Sequence, residues 1–152
     1  MAGRKFALNT GAVPLTASQT VHLVGVKSPS THGIILTAME VSFEGAGGAA
    51  TEKAVKIEYC TCDTDGTGAA VTVVNADRQD DGSPATTAKQ AYTVAPSGSV
   101  VVIRTKYTDA NKADDSFPGA IRLKANEVFF IRLTAPAGLT TVNAAAFVGG
   151  DE

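Results

Sequence analysis

Short β-branched runs of alternating polarity recur about every ten residues from Val21 to Val148, separated by clusters of Gly, Pro, Asn, Asp and Ser. No stretch carries the three-to-four spacing of an amphipathic helix. That rhythm predicts an all-β fold, a single-domain antiparallel β-sandwich or jelly-roll of about eight to ten strands. The clearest strand covers residues 34–44, where Met39, Val41 and Phe43 alternate with Glu40, Ser42 and Glu44. A period of two places the first set against a core and the second in water. Residues 53–63 alternate as plainly, with Val55, Ile57 and Tyr59 on one face and Lys56, Glu58, Cys60 and Cys62 on the other. Further strands are expected at 19–27, 70–74, 88–94, 100–107, 121–123, 127–134 and 140–148. In the first of these, Val21, Leu23 and Gly25 share one face and His22, Val24 and Val26 the other.

The remaining segments set the domain limits. Residues 1–18 hold Arg4, Lys5, Gly11 and Pro14 with little pattern, and read as an extended N-terminal arm. The sandwich is expected over 19–148, and Gly149, Gly150, Asp151 and Glu152 as a solvated tail. Gly45, Ala46, Gly47 and Gly48 break a strand, while 75–87 and 108–119 are polar surface loops. In the run Val128, Phe129, Phe130, Ile131 both faces are apolar, so the strand is either central and covered on both sides or covered outside by another subunit. An arm with spaced apolar residues and two basic ones suits docking on another chain. The interface candidates are therefore Arg4, Lys5, Phe6 and Leu8 in the arm and Phe129 and Phe130 in the strand.

Recognisable chemistry is sparse. Cys60 and Cys62 stand two apart on one strand and face the same way, where a disulfide would strain the backbone. A metal site there would need two more ligands, and His22 and His32 lack the spacing to supply them. Asp63, Asp65 and Gly66 resemble the start of a calcium loop, but Gly is the fourth residue and Val74 stands at the twelfth position. Asp77, Asp80 and Asp81, like Asp109, Asp114 and Asp115, read as loop chemistry. A catalytic triad would have to draw its base from the two histidines, and no nucleophile elbow or phosphate-binding glycine loop is present. No enzyme activity, cofactor or metal is expected. The net charge of −2 points away from nucleic acid, no apolar stretch is long enough for a membrane helix or a signal peptide, and the chain reads as soluble and made in the cytoplasm.

The order of these features resembles the jelly-roll head decoration, or capsid-stabilising, proteins of tailed phages. The likeness rests on an N-terminal arm and a strand running from Gly33 through Ile34, Leu36, Met39 and Val41 to Gly45. It continues in a strand with Val55, Ile57 and Tyr59, an Asp/Gly/Pro-rich loop at 75–87, and a late strand ending in Leu133, Thr134, Ala135 and Pro136. It spans roughly residues 19–148. The resemblance implies a non-enzymatic virion protein, assembled in the host cytoplasm, that forms a homo-oligomer, a trimer, and binds the major capsid protein or another virion protein. It carries over no functional residue. The alternatives are a carbohydrate-binding or adhesion module, which would want exposed aromatic platforms, and a hydrolase on a β scaffold.

Overall fold

The computed structural model describes residues 3–44, 54–77, 82–110 and 114–152. The expected break at Gly45 to Gly48, Lys53, Asp80, Asp81 and Lys112 lie outside them. The described residues form thirteen strands: β1 (Lys5–Asn9), β2 (Val13–Leu15), β3 (Thr20–Lys27), β4 (Ile34–Glu44), β5 (Ala54–Cys62), β6 (Thr67–Val71), β7 (Val74–Asn75), β8 (Thr87–Val94), β9 (Val101–Asp109), β10 (Asp115–Ser116), β11 (Ile121–Leu123), β12 (Val128–Thr134) and β13 (Val142–Asp151). They build two packed antiparallel sheets, a β-sandwich. One follows the order β10-β4-β13-β1-β7, with β11 also on β4 and β2 on β13; the other follows β6-β8-β3-β12-β5-β9.

Residue alternation explains the core. Met39 and Val41 of β4, Ala144, Ala146 and Val148 of β13, and Phe6 and Leu8 of β1 face inward from one sheet. Val55, Ile57 and Tyr59 of β5 and Phe129, Ile131 and Leu133 of β12 meet them from the other. In β3 the expected alternation does not run through. Ile131 pairs with Val24 but Arg132 with His22, so Leu23 is the extra residue of a bulge. The bulge lets Leu23, Val24 and Val26 all enter the core and turns Gly25 and His22 outward with Phe130 and Arg132.

Residues 3–18 do not stand apart from the sandwich. β1 pairs with β13 along its whole length, from Lys5 opposite Asp151 to Asn9 opposite Phe147, and Phe6 and Leu8 are each 1% exposed. The expected tail is also built in. Gly149, Gly150 and Asp151 continue β13, and Arg4 and Glu152 exchange backbone hydrogen bonds of 2.8 and 2.9 Å. The Glu152 carboxylate accepts from the backbone N–H of Ala85 and of Thr86 and from Thr86 Oγ1. It thereby fastens the end of the 75–87 loop to the chain's last residue.

Candidate functional site

The sequence-derived interface candidates fall in different places. Phe6 and Leu8 lie in the core, Lys5 is exposed on β1, and Arg4 bonds Ser83 O and lies 3.8 Å from Glu152 Oε1. Phe129 and Phe130 are both fully buried within the single chain. β12 is thus the central strand that its two apolar faces suggested, with Phe129 in the main core. Phe130 sits on the opposite face in a second cluster with Val128, Cys60 and Cys62. Register sets Cys60 opposite Phe130 and Cys62 opposite Val128.

The cover of this second cluster comes from the topology. The β5–β6 and β8–β9 connections each run between opposite sides of the six-stranded sheet, past β12 and β3. They meet where Thr64 and Ser97 exchange backbone hydrogen bonds and Asp63 N–H donates to Gly98 O. Cys62 Sγ donates to Thr64 O at 3.4 Å, which places this crossing on the outer face. Tyr92 closes the cover over Gly25, where a Cβ would come within 1.9 Å of its Oη. Tyr92 Oη in turn donates to Asp65 Oδ1 at 2.8 Å, and Lys89 pairs with Asp65 Oδ2 at 2.9 Å. The carboxylate read as a possible calcium ligand is therefore the anchor of this flap.

Beside the cluster runs a ladder of polar groups across three strands, His22, Arg132 and Glu58. Arg132 holds Glu58 through two hydrogen bonds of 3.0 and 3.1 Å and lies 5.9 Å from the Phe130 ring centre; the His22 ring lies 5.6 Å from it. The guanidinium hydrogen bond holds the Glu58 carboxyl below the usual carboxylate range, and the same bond raises Arg132. Burial, reinforced by the Arg132 charge, lowers His22. Burial pushes the Cys60 thiol up to about 11 and raises that of Cys62. Neither cysteine has the electropositive, accessible setting that makes a thiol reactive. His32 is exposed and bonds Thr31 Oγ1 at 2.9 Å.

An open groove of about 330 Å³ lies between β2, β3 and β8, lined by Val13, Pro14, Val21, Ala91 and Tyr92 among others, with no charged side chain. Its polar lining is Thr16, Gln19, Thr20 and Tyr92, and Gln19 Oε1 is taken up by Thr16.

The surface feature that stands out is β9. Among the described residues it pairs with β5 alone, and nothing described pairs with its second row of N–H and C=O groups from Val101 to Tyr107. Elsewhere the sheet ends are short: β6 has five residues, and β7 and β10 two each. Val101 is 56%, Ile103 43% and Tyr107 64% exposed, with Val100 and Val102 beside them. A long, apolar, open edge is the arrangement that folded proteins ordinarily suppress. Residues 100–107 were expected only as a strand, and nothing in the apolar run Val100 to Ile103 marked it as the margin of the sheet.

Compared with protein-family models and with curated proteins, the sequence matches none of either.

Proposed function

We propose that this chain is a non-enzymatic structural protein of a virion, a rigid sandwich that decorates or stabilises a capsid by binding the shell protein. The observation that carries the reading is the β9 edge. The core closes within one chain, and Phe129 and Phe130 are used up inside it, yet an open strand with four exposed apolar residues remains, with exposed Val100 just before it. A sheet edge of that kind recognises extended backbone, the mode in which neighbouring subunits commonly clasp one another. The resemblance to head decoration proteins supplies the setting, and a trimer is the assembly it implies.

The test is co-sedimentation of the purified protein with DNA-free shells of the phage that encodes it. Saturable binding at a fixed ratio to the shell protein supports the reading; recovery entirely in the supernatant overturns it. Tyr107 supports a second reading, a carbohydrate-binding module, because it is the exposed aromatic side chain among the three tyrosines. Glycan-array binding that is lost in Tyr107→Ala would favour it.

A further inference from the structure

We infer that the flap over the outer face of the six-stranded sheet is a lid that opens by itself. Residues 63–66 and 95–99 lift together while the sandwich stays folded, and Cys62, with the apolar patch around it, then meets water. The inference stands apart from the virion reading.

The patch is covered by little apolar material. Cys60, Cys62, Val128 and Phe130 are each at most 1% exposed and form a cluster of their own, divided from the core by the sheet they belong to. All four come from β5 and β12, and the flap adds no member. In the two flap segments Pro96 alone is buried. In the main core, by contrast, side chains of two sheets interlock. A segment with few buried apolar contacts opens locally at a smaller free energy than unfolding of the whole domain requires.

Hydrogen bonds divide along the same line. Thr64 and Ser97 exchange two backbone bonds, and Asp63 N–H donates to Gly98 O, so the two segments hold each other and move as one piece. Toward the patch, the bond from Cys62 Sγ to Thr64 O spans 3.4 Å, and a thiol is a weak donor. The firm attachment is at the side. Asp65 accepts from Tyr92 Oη at 2.8 Å and pairs with Lys89 Nζ at 2.9 Å, and Lys89 also donates to Gly66 O. Tyr92 and Lys89 both stand on β8, so this latch ties the flap to a single strand. An open pocket of about 240 Å³, lined by Asp63 and residues 124–127, leaves the flap unbuttressed beside the β11–β12 turn. In the second segment Gly98 (φ 80°) and Ser99 (φ 48°) are both left-handed, and for Ser99 that is a strained backbone.

The probe is N-ethylmaleimide on the intact protein at about pH 8, where an uncovered thiol supplies reactive thiolate, with the modified residues located by peptide mass spectrometry. Urea below the unfolding transition separates the two routes to Cys62. Opening of the flap exposes little surface and responds weakly to urea, whereas global unfolding responds steeply. The expected result is modification of Cys62 in the native protein at a rate that changes less than about twofold across that urea range. Tyr92→Phe removes one bond of the latch and should speed modification about tenfold, and Asp65→Ala should speed it further. Tyr59→Phe weakens the core on the other face of β5 and should leave the rate unchanged. No modification below the transition overturns the inference. So does a rate that rises steeply with urea, or one that Tyr59→Phe quickens as much as Tyr92→Phe does. A native rate untouched by both latch variants overturns it as well, because the flap would then not be what guards Cys62.

Discussion

Tyr59 Oη donates a 2.6 Å hydrogen bond to Asp115 Oδ2, joining β5, next to the edge strand of one sheet, to β10 at the margin of the other. Arg104 reaches the same oxygen at 3.2 Å from β9, and its guanidinium lies 5.8 Å from the Tyr59 ring centre and 6.0 Å from that of Phe117. Burial and the adjacent carboxylate raise the phenol far above its ordinary range, so Tyr59 remains a donor. The two sheets are thereby tied at the side where β9 is open.

Tyr59→Phe removes the donor and leaves the ring. It should cost about 1–3 kcal/mol, because Asp115 is buried and keeps Arg104 as its partner. In a domain of this length that is about 2–4 °C of melting temperature per kcal/mol. An unchanged melting temperature would show that the inter-sheet bond adds nothing.

Gly25 and Tyr92 are coupled by volume. Gly25→Ala places a methyl group where the Tyr92 hydroxyl sits, and should cost about 1–3 kcal/mol by displacing the ring and breaking its bond to Asp65. Adding Tyr92→Ala removes the clash. The double variant should therefore lose less stability in urea than the sum of the two single losses. Additive losses would mean that the flap does not rest on Gly25.

The N-terminal strand gives a sharp contrast with an arm. Phe6→Ala should cost about 3–5 kcal/mol, the range for emptying an aromatic site in a core. Deleting residues 2–9 strips β1 from β13 and should abolish cooperative melting. A truncated protein that melted like the full chain would make β1 dispensable.

Much of the fold was readable where one strand carries its own pattern. The alternation of Met39, Val41 and Phe43, and of Val55, Ile57 and Tyr59, needs only a period of two. β1 was not readable, because its alternation consists of Phe6 and Leu8 alone, and its meaning lies in β13 at the far end of the chain. Gly149 and Gly150 suggested a solvated end. In the fold Gly150 instead permits close approach, since a Cβ there would lie 2.2 Å from Ile35 O. For the candidate site, the fully apolar run of β12 was rightly read as covered, but the cover is the chain's own crossing connections. Single-strand patterns cannot reveal which strand ends up at a sheet edge, and so the role of Val100 to Ile103 was hidden.

Stability should fall with acidity in two stages. His22 has a lowered pKa, so the folded state resists a proton that the unfolded chain takes up below about 6.5; stability is full above that value and declines beneath it. Glu58 is also lowered, so its contribution is present above its ordinary 4.5 and is lost as the pH falls through the folded value. Glu152 behaves likewise: burial alone would raise it, but hydrogen bonds from Thr86 and Ala85 hold it low. Urea titrations should show His22→Gln flattening the upper stage and Glu58→Gln the lower. A stability curve flat from pH 7 to pH 5 in the parent protein would contradict the His22 assignment, and one flat below pH 4.5 the Glu58 assignment.

The most direct measurement is the protein content of purified particles. If, as proposed, the chain belongs to a phage, virions of that phage, banded on a density gradient and washed, can be quantified by peptide mass spectrometry against the major capsid protein. The account predicts many copies per particle, in a fixed ratio to the shell protein and retained through washing. A protein abundant in infected cells but missing from washed particles would contradict it.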